Sequence, residues 1–523
     1  MTELEQLRRA EPVMPDVATL YEDLDVLIAD VSREGELQAN AWSAVIERPG
    51  FAVSALNLAH YLALRRRDLR PMQRPLTALG LSSLGRLESR VLPTLLAVRT
   101  ALAALLGHRP HGALIDSAVF AGEARLAAHR RELLGPPATS ASTALLVTCP
   151  AEAADDPAFM LALAARGVEA VRINCAHDSP ESWRRMIDNL RAAEAATGRR
   201  MKVFMDLAGP KIRVGAVRTP PERLRIRRGE LLAIAGPGAL DQVSLPEAHF
   251  AVECTLADAV TSAKVGDRVF VDDGKLASKV ERVEAWGLVA RVTAAIDKGL
   301  KLRAEKGLNF PDCDLNVDAL TEKDRADLAF VAANADGVEF SFVQSAADVK
   351  MLQEALAQHR PRDWRAVSLI LKIETSRAVS NLPEIIVQAA GRQPAAVMIA
   401  RGDLAVEIGF ARTAEMQEEI LWLGEASDVP VIWATQVLEH LAAKGIPSRG
   451  EMTDAAMAAR ADCVMLNKGP YLFEAIDQLQ TLLRRMDDHQ HKKTPQLRRL
   501  NSWRMPPPAA SSKHERLAAP AHD

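Results

Sequence analysis

Through residues 1 to about 140, apolar residues recur at three- and four-residue spacing, the period of helices that bury one face. Four stretches carry it: DVATLYEDLDVLIADV, VSALNLAHYLALRRRDLR, SSLGRLESRVLPTLLAVRTALAALLG and LIDSAVFAGEARLAAHRRELLG. Ser82 or Ser83 is placed to cap the third of these. Pro136, Pro137 and the small residues that follow, to Ser142, then mark a boundary.

Beyond it the pattern changes to short apolar runs, each followed by a helix-like stretch. The runs are TALLVTC (143–149), VEAVRIN (168–174), KVFMDLA (202–208), DGVEFSF (336–342), VSLILKIE (367–374), AAVMIAR (395–401), VPVIWAT (429–435) and ADCVMLN (461–467). Successive runs start 25 to 34 residues apart, except for one interval of 134. That is the length of a strand plus a helix, and continuous apolar runs suit parallel strands buried on both faces. Eight such units predict an α/β chain built on a (β/α)8 barrel. The long interval holds alternating, Val-rich segments: LRIRRGELLAIAG, AHFAVEC, DRVFVDDGKLASKVERVE and LVARVTA. They predict a small β-barrel lid inserted after the third strand. TEKDRADLAFVAANA (321–335) then supplies the third barrel helix, with Thr321 as its cap. The predicted division is a helical domain over 1–140, the barrel over 141–215 and 306–490, and the lid over 216–305. A basic, Pro-rich tail over 491–523, expected to be disordered, completes it, and Trp503 within it is a weak docking signal.

Composition narrows the function. The 523 residues carry 65 Lys+Arg against 68 Asp+Glu, a net charge of −3, and only 4% aromatics. Neither a polyanion binder nor a base-stacking platform is built that way, so nucleic acid is not an expected partner. No apolar run is long enough for a bilayer, and the N-terminus lacks the apolar stretch of a signal peptide. The five cysteines are odd in number, scattered and without a CxxC pair, which predicts reduced thiols in a cytoplasmic protein.

Barrel enzymes place their chemistry at the C-terminal ends of the strands. Here the runs end in Arg172 and Asn174, Asp206, Lys372 and Glu374, Arg401 and Asp403, Thr435, and Asn467. Lys372 and Glu374, two apart on a strand, share a face, and Asp403 ends the next strand. Two carboxylates beside a lysine suit Mg²⁺ or Mn²⁺, with the ammonium left for a phosphate or an enolate. A buried ion-pair cluster would explain any one of them equally well; their recurrence at strand ends argues for function. Arg172 and Arg213 suit phosphate. His177, on a loop, reads by itself as an ordinary loop histidine, and Gly402 permits close backbone approach to a ligand.

These residues also carry a resemblance. From about 143 to 488 the chain resembles pyruvate kinases: VRINCAH is similar to R-L-N-F-S-H, MDLAGPKIRVG to L-D-T-K-G-P-E-I-R-T-G, and VFVDDGKL to the lid segment I-D-D-G. KGLNFP and LTEKDRADL resemble the return from the lid, and LKIET, IARGDLAVEI, WATQVLEHL and PSRGEMTDAAMA follow in the family's order. The resemblance implies transfer of a phosphoryl group from phosphoenolpyruvate to ADP, giving pyruvate and ATP, with Mg²⁺ or Mn²⁺ as cofactor. It implies that Lys372 neutralises the transferring phosphoryl group and the enolate, that Glu374 and Asp403 hold the metal, and that Arg172 contacts phosphoryl oxygens. Thr435 would stand by the substrate's carboxylate and methylene, Gly402 would offer backbone to the carboxylate, and His177, Arg213 and Lys306 would face the nucleotide. A homo-oligomer, dimer or tetramer, is expected.

Three departures sharpen these expectations. Of the family's monovalent-cation site Asn174 and Asp206 remain, but Ala176 and Leu207 replace its hydroxyl residues. Lys211 stands where many members have Glu, a change that accompanies K⁺-independent activity in the family, so K⁺ is not expected to be required. On the nucleotide side Ala208 replaces a Lys, NKGPY (467–471) replaces S-G-E-T-A, and Cys149 takes a Gly place. The family's C-terminal effector domain has no counterpart here, so control through it is not expected. The competing readings are a metal-dependent enolpyruvate lyase or aldolase and a non-catalytic phosphoenolpyruvate-binding regulator.

Overall fold

The computed structural model describes residues 16–108, 119–138, 141–244, 247–313, 315 and 317–496. The predicted tail beyond 496, Trp503 included, lies outside the described residues, as does the start of the fourth helical stretch, 114–118.

The front of the chain is helical: α1 (Val17–Trp42), α2 (Pro49–Arg65), α3 (Arg70–Ala78), α4 (Val91–Leu105) and α5 (Ala121–Leu134). The second predicted stretch breaks before α3, because Pro71 has no N–H to continue a helix and sits in the first turn of a new one. The expected cap at Ser82 or Ser83 is not found. Ser82 is spent on a local turn, accepting from the Leu84 N–H at 3.3 Å. The third helix instead begins at Val91, whose N–H donates to Asn57 Oδ1 of α2 at 3.0 Å. α2 is buried almost all round, as expected for a helix with neighbours on both sides.

Eight parallel strands close the barrel: β1 (Ala144–Thr148), β2 (Ala170–Asn174), β3 (Lys202–Asp206), β4 (Gly337–Phe340), β5 (Ser368–Ile373), β6 (Ala395–Ala400), β7 (Val431–Ala434) and β8 (Cys463–Leu466). Each predicted apolar run contains one of them. β8 pairs with β1 through Ala144 opposite Cys463, which closes the ring. The inserted segment, expected as a small β-barrel, takes the form of a seven-stranded sheet with its own apolar core, running from Leu308–Asn309 at one edge to Val214–Arg218 at the other. The chain leaves for it past Gly209. That residue has φ +66°, and a Cβ there would lie 2.8 Å from Ser341 Cβ, so glycine is required by both backbone and space. The chain returns into α6 (Glu322–Asn334), capped by Thr321 as predicted. Thr321 Oγ1 accepts the Asp324 N–H, while Asp324 Oδ2 accepts the Thr321 N–H.

The helical front covers one end of the barrel. Ser54 donates to buried Asp428 Oδ2 at 2.7 Å, and Arg125 pairs with the same oxygen at 2.7 Å. The Glu47 and Arg48 N–H groups donate to the Gly391 carbonyl at 2.9 and 2.8 Å. Asp428 and Gly391 precede β7 and β6, so this end is the one opposite the strands' C-termini. Leu133 and Leu134 of α5 join the inward-facing residues of the strands, among them Leu146, Phe204, Ile370 and Met398, in one apolar cluster. They plug the barrel floor. Among the described residues no helix is long and apolar enough to cross a membrane. All five cysteines are free.

Candidate active site

Strand register sets the first layer of the site. Asn174 on β2 lies opposite Asp206 on β3, which lies opposite Glu339 on β4. Arg172, two residues before Asn174, reaches across this layer. Its guanidinium pairs with Asp206, donates from Nε to Glu339 Oε2 at 3.0 Å, and donates to Thr148 Oγ1 at 3.1 Å.

Lys372, near the end of β5, is buried. Its ammonium lies 3.1 Å from Asp206 Oδ1, 3.2 Å from Glu374 Oε1 and 2.6 Å from Ser341 Oγ. Ser341 in turn donates to Asp206 Oδ1 at 3.0 Å. Burial pushes the Asp206 carboxyl up, but Lys372 and Arg172 outweigh it and hold the group below the usual carboxylate range. Burial acts against the Lys372 ammonium, yet Asp206 and Glu374 more than restore it, so its pKa lies above the ordinary lysine value. Burial also raises Glu374, with Lys372 opposing. Glu339 is pushed by burial up to about 7, with Arg172 opposing, and its Oε1 has no partner.

Glu374 Oε2 accepts the Phe342 N–H at 2.6 Å, which fixes the carboxylate. Asp403, in α7 (Arg401–Ile408), is held by Lys211 at 2.8 Å. Among the described residues no group of three or more His, Cys, Asp and Glu forms a ready metal cluster. The pair Glu374 and Asp403 nonetheless fits Mg²⁺ or Mn²⁺ chemically. Both are hard oxygen donors at adjacent strand ends, and Mg²⁺ is commonly held by one or two carboxylates, with water and substrate oxygens completing its shell.

Thr435, just past β7, has φ +60°, an outlier for a β-branched residue. Two neighbours hold it there. The Gly402 N–H donates to Thr435 Oγ1 at 2.9 Å, and Arg401, stacked on Trp433, donates to the Thr435 carbonyl while pairing with Asp454. The Gly402 amide, expected to face a substrate carboxylate, is thus engaged by Thr435.

The remaining expected residues divide. His177 lines a cavity of about 550 Å³ together with Arg172, Asn174, Cys149, Thr435 and Lys468. Arg213 and Lys306 do not line it. They sit at the neck of the inserted sheet, where Arg213 donates to the Glu305 carbonyl at 2.9 Å and Lys306 pairs with Asp272 at 3.1 Å. Lys211 is placed on Asp403, not on Asn174 or Asp206. Asn174 Oδ1 accepts the Ala176 N–H at 2.9 Å.

Sequence reasoning missed Ser341, Glu339 and Thr148. Ser341 and Glu339 end the fourth run, DGVEFSF, and the strand-end rule that found Lys372 and Glu374 finds them too when applied there.

Residues 141–476 match the family model described as pyruvate kinase, barrel domain. A pyruvate kinase of Mycobacterium intracellulare is 32% identical over 338 residues, covering 63% of this chain and 67% of that protein. One of Mycobacterium tuberculosis is 34% identical over 321 residues (61% and 63%), and one of Encephalitozoon cuniculi is 32% identical over 305 (58% and 64%). The chain therefore spans about two thirds of the length of these curated relatives. With the family model covering well over half of its residues, the chain belongs to the pyruvate kinase family.

Proposed function

We propose that the protein transfers the phosphoryl group of phosphoenolpyruvate to ADP, giving pyruvate and ATP in glycolysis, with Mg²⁺ or Mn²⁺ as cofactor. The observation that carries this reading is the buried Lys372 ammonium, held at once by Asp206, Glu374 and Ser341 beside Arg172. A β-phosphate oxygen of ADP attacks phosphorus, the bond from phosphorus to the enol oxygen breaks, and the enolate takes a proton at its methylene carbon. Both the phosphoryl group and the enolate are anionic throughout, so fixed positive charge is what this reaction needs most. Lys372 supplies it without losing its proton, because its carboxylate neighbours keep its pKa high. Arg172 orients phosphoryl oxygens, and Asp206 and Glu339 hold its guanidinium in place. Thr435 stands by the carboxylate and methylene, and Gly402 contributes its amide once Thr435 Oγ1 turns to substrate. Glu374 and Asp403 hold the metal, which supplies charge neutralisation when bound. His177 meets the nucleotide from the barrel, and Arg213 and Lys306 meet it from the neck of the inserted sheet, which acts as a lid.

We also propose that activity is independent of K⁺. Ala176 and Leu207 lack the side-chain oxygens a K⁺ site needs, and the Lys211 ammonium supplies a fixed positive charge at Asp403. Activity is expected in buffer free of Na⁺ and K⁺; strong activation on adding K⁺ would overturn this part.

The central test is pyruvate release from phosphoenolpyruvate and Mg²⁺ with and without ADP, repeated with Lys372→Met. Release only with ADP, and a fall in kcat of about 10³-fold or more in the variant with Mn²⁺ affinity little changed, is the expected result. Release without nucleotide would favour the lyase, and tight binding without turnover the regulator. An unchanged kcat would remove Lys372 from its role.

A further inference from the structure

A groove of about 500 Å³ lies in the helical front, between α1, α3 and the turn that leads into α3. Its lining is mostly apolar. Leu20 and Leu27 form a buried floor, Leu69, Met72 and Pro75 are half-buried walls, and Val26 stands 64% exposed on α1. Its rim is acidic, with Asp16, Asp23, Asp30 and Asp68. Asp30 is held by Arg33 and Arg67, and Asp68 by Arg70. Asp16 is spent on the cap of α1. Asp23 is exposed and has no partner among the described residues. An open apolar groove with a charged rim has the form of a docking surface.

The chain itself holds a segment of matching chemistry. Beyond Gln496, Arg498, Arg499 and Arg504 surround Trp503, and no acidic residue occurs before Glu515. Leu500 and Met505 add apolar surface beside the indole. The described chain also ends close to the groove. Lys493 and Arg65 lie against the same Trp422 ring, at 4.9 and 4.7 Å from its centre. Two residues past Arg65, Arg67 lines the groove, followed by Asp68 and Leu69. Ten residues lead from Lys493 to Trp503, a reach of up to about 35 Å when extended.

We propose that residues 497–505 dock in this groove of the same chain. The Trp503 indole packs against Val26, Leu69 and Met72, and the arginines beside it meet the acidic rim, with Asp23 as the unspent carboxylate. Trp buries a large area, the Met thioether suits an aromatic neighbour, and arginine pairs well with carboxylates. A tethered segment needs little affinity of its own, because the tether supplies a high effective concentration. Docking fastens the far end of the chain to the first helix of the front.

The test uses the full chain at two concentrations a hundredfold apart. The readouts are limited trypsin cleavage after Arg499 and hydrogen exchange over residues 17–30 and 67–76. Cleavage tracks the population of the open form when opening is fast. Trp503→Ser and, separately, Asp23→Lys should each speed cleavage by about fivefold or more, and each should loosen exchange in both groove segments. Exchange in β5 and β6 should stay unchanged in both variants, which separates undocking from misfolding. At 0.5 M NaCl the parent chain should shift in the same direction, since exposed charges are screened. Cleavage and exchange unchanged in Trp503→Ser would leave the groove to another occupant and overturn the assignment. The same result in Asp23→Lys would overturn the part given to the acidic rim. Protection that is lost on dilution would place the segment on a second copy and overturn docking within one chain.

Discussion

The ammonium of Lys211, 2.8 Å from Asp403 and also close to Asp273 at 3.7 Å, competes with any divalent cation that Asp403 binds. Burial disfavours this ammonium, but Asp403 and its neighbours outweigh burial and raise its pKa, so it stays charged across the working range. Lys211→Met should therefore tighten Mn²⁺ binding by about tenfold, read by calorimetry without substrate; weaker binding would mean that Lys211 organises the carboxylate instead. Single residues of the site were legible in the chain to the extent that each ended an apolar run: Arg172, Asp206, Lys372, Glu374 and Thr435 all did. Their partnerships were not. That Asp206 faces Glu339 depends on pairing two strands separated by the whole inserted sheet, and that Lys211 reaches Asp403 depends on where the chain exits toward it.

Among elements, a local signal held at Thr321 and failed at Ser82 and Ser83. Thr321 caps α6 because both halves of its capping box lie within four residues, and the same carboxylate, Asp324, also accepts the Gly209 N–H at 3.3 Å. The box thus ties the return helix to the exit point of the inserted sheet. Thr321→Ala should cost about 1 kcal/mol in denaturant unfolding. The cap of α4 was out of reach of the same reasoning, since its acceptor, Asn57, is 34 residues away on another helix. The break before α3 was legible in Pro71 and in the polar residues 65–68, which the reading of 53–70 as one helical stretch passed over. Eight strands were found because parallel strands buried on both faces need no partner to look like strands. The inserted sheet's order, with its first strand at one edge and its last at the other, comes from pairings that alternation alone does not encode.

At the scale of the molecule, the helical front, the barrel floor and the end of the described chain meet in one charged seam. Lys493 pairs with Glu88 and lies 4.9 Å from the Trp422 ring, and Lys492 pairs with Asp462 at 2.7 Å. Glu425, in α8 (Phe410–Ala426), sits among them, and burial, with Glu88 adding to it, pushes its carboxyl up to about 7. A carboxyl raised on folding contributes its stability below the unfolded value, near 4.5, and loses it as pH climbs toward 7. Glu425→Gln should consequently raise Tm at pH 8 and leave it nearly unchanged at pH 4; an equal shift at both would assign the effect to packing.

The plug formed by Leu133 and Leu134 carries a practical consequence. The family match begins at residue 141, the natural place to cut for a catalytic fragment or a chimera with a relative. A cut there would remove the floor and leave an open-bottomed funnel lined by Leu146, Phe204 and Met398. Water would enter beneath the layer that seats Arg172 and Lys372. The border of ancestry and the border of a self-standing unit therefore differ, and a fragment made to keep its chemistry should begin upstream of α5.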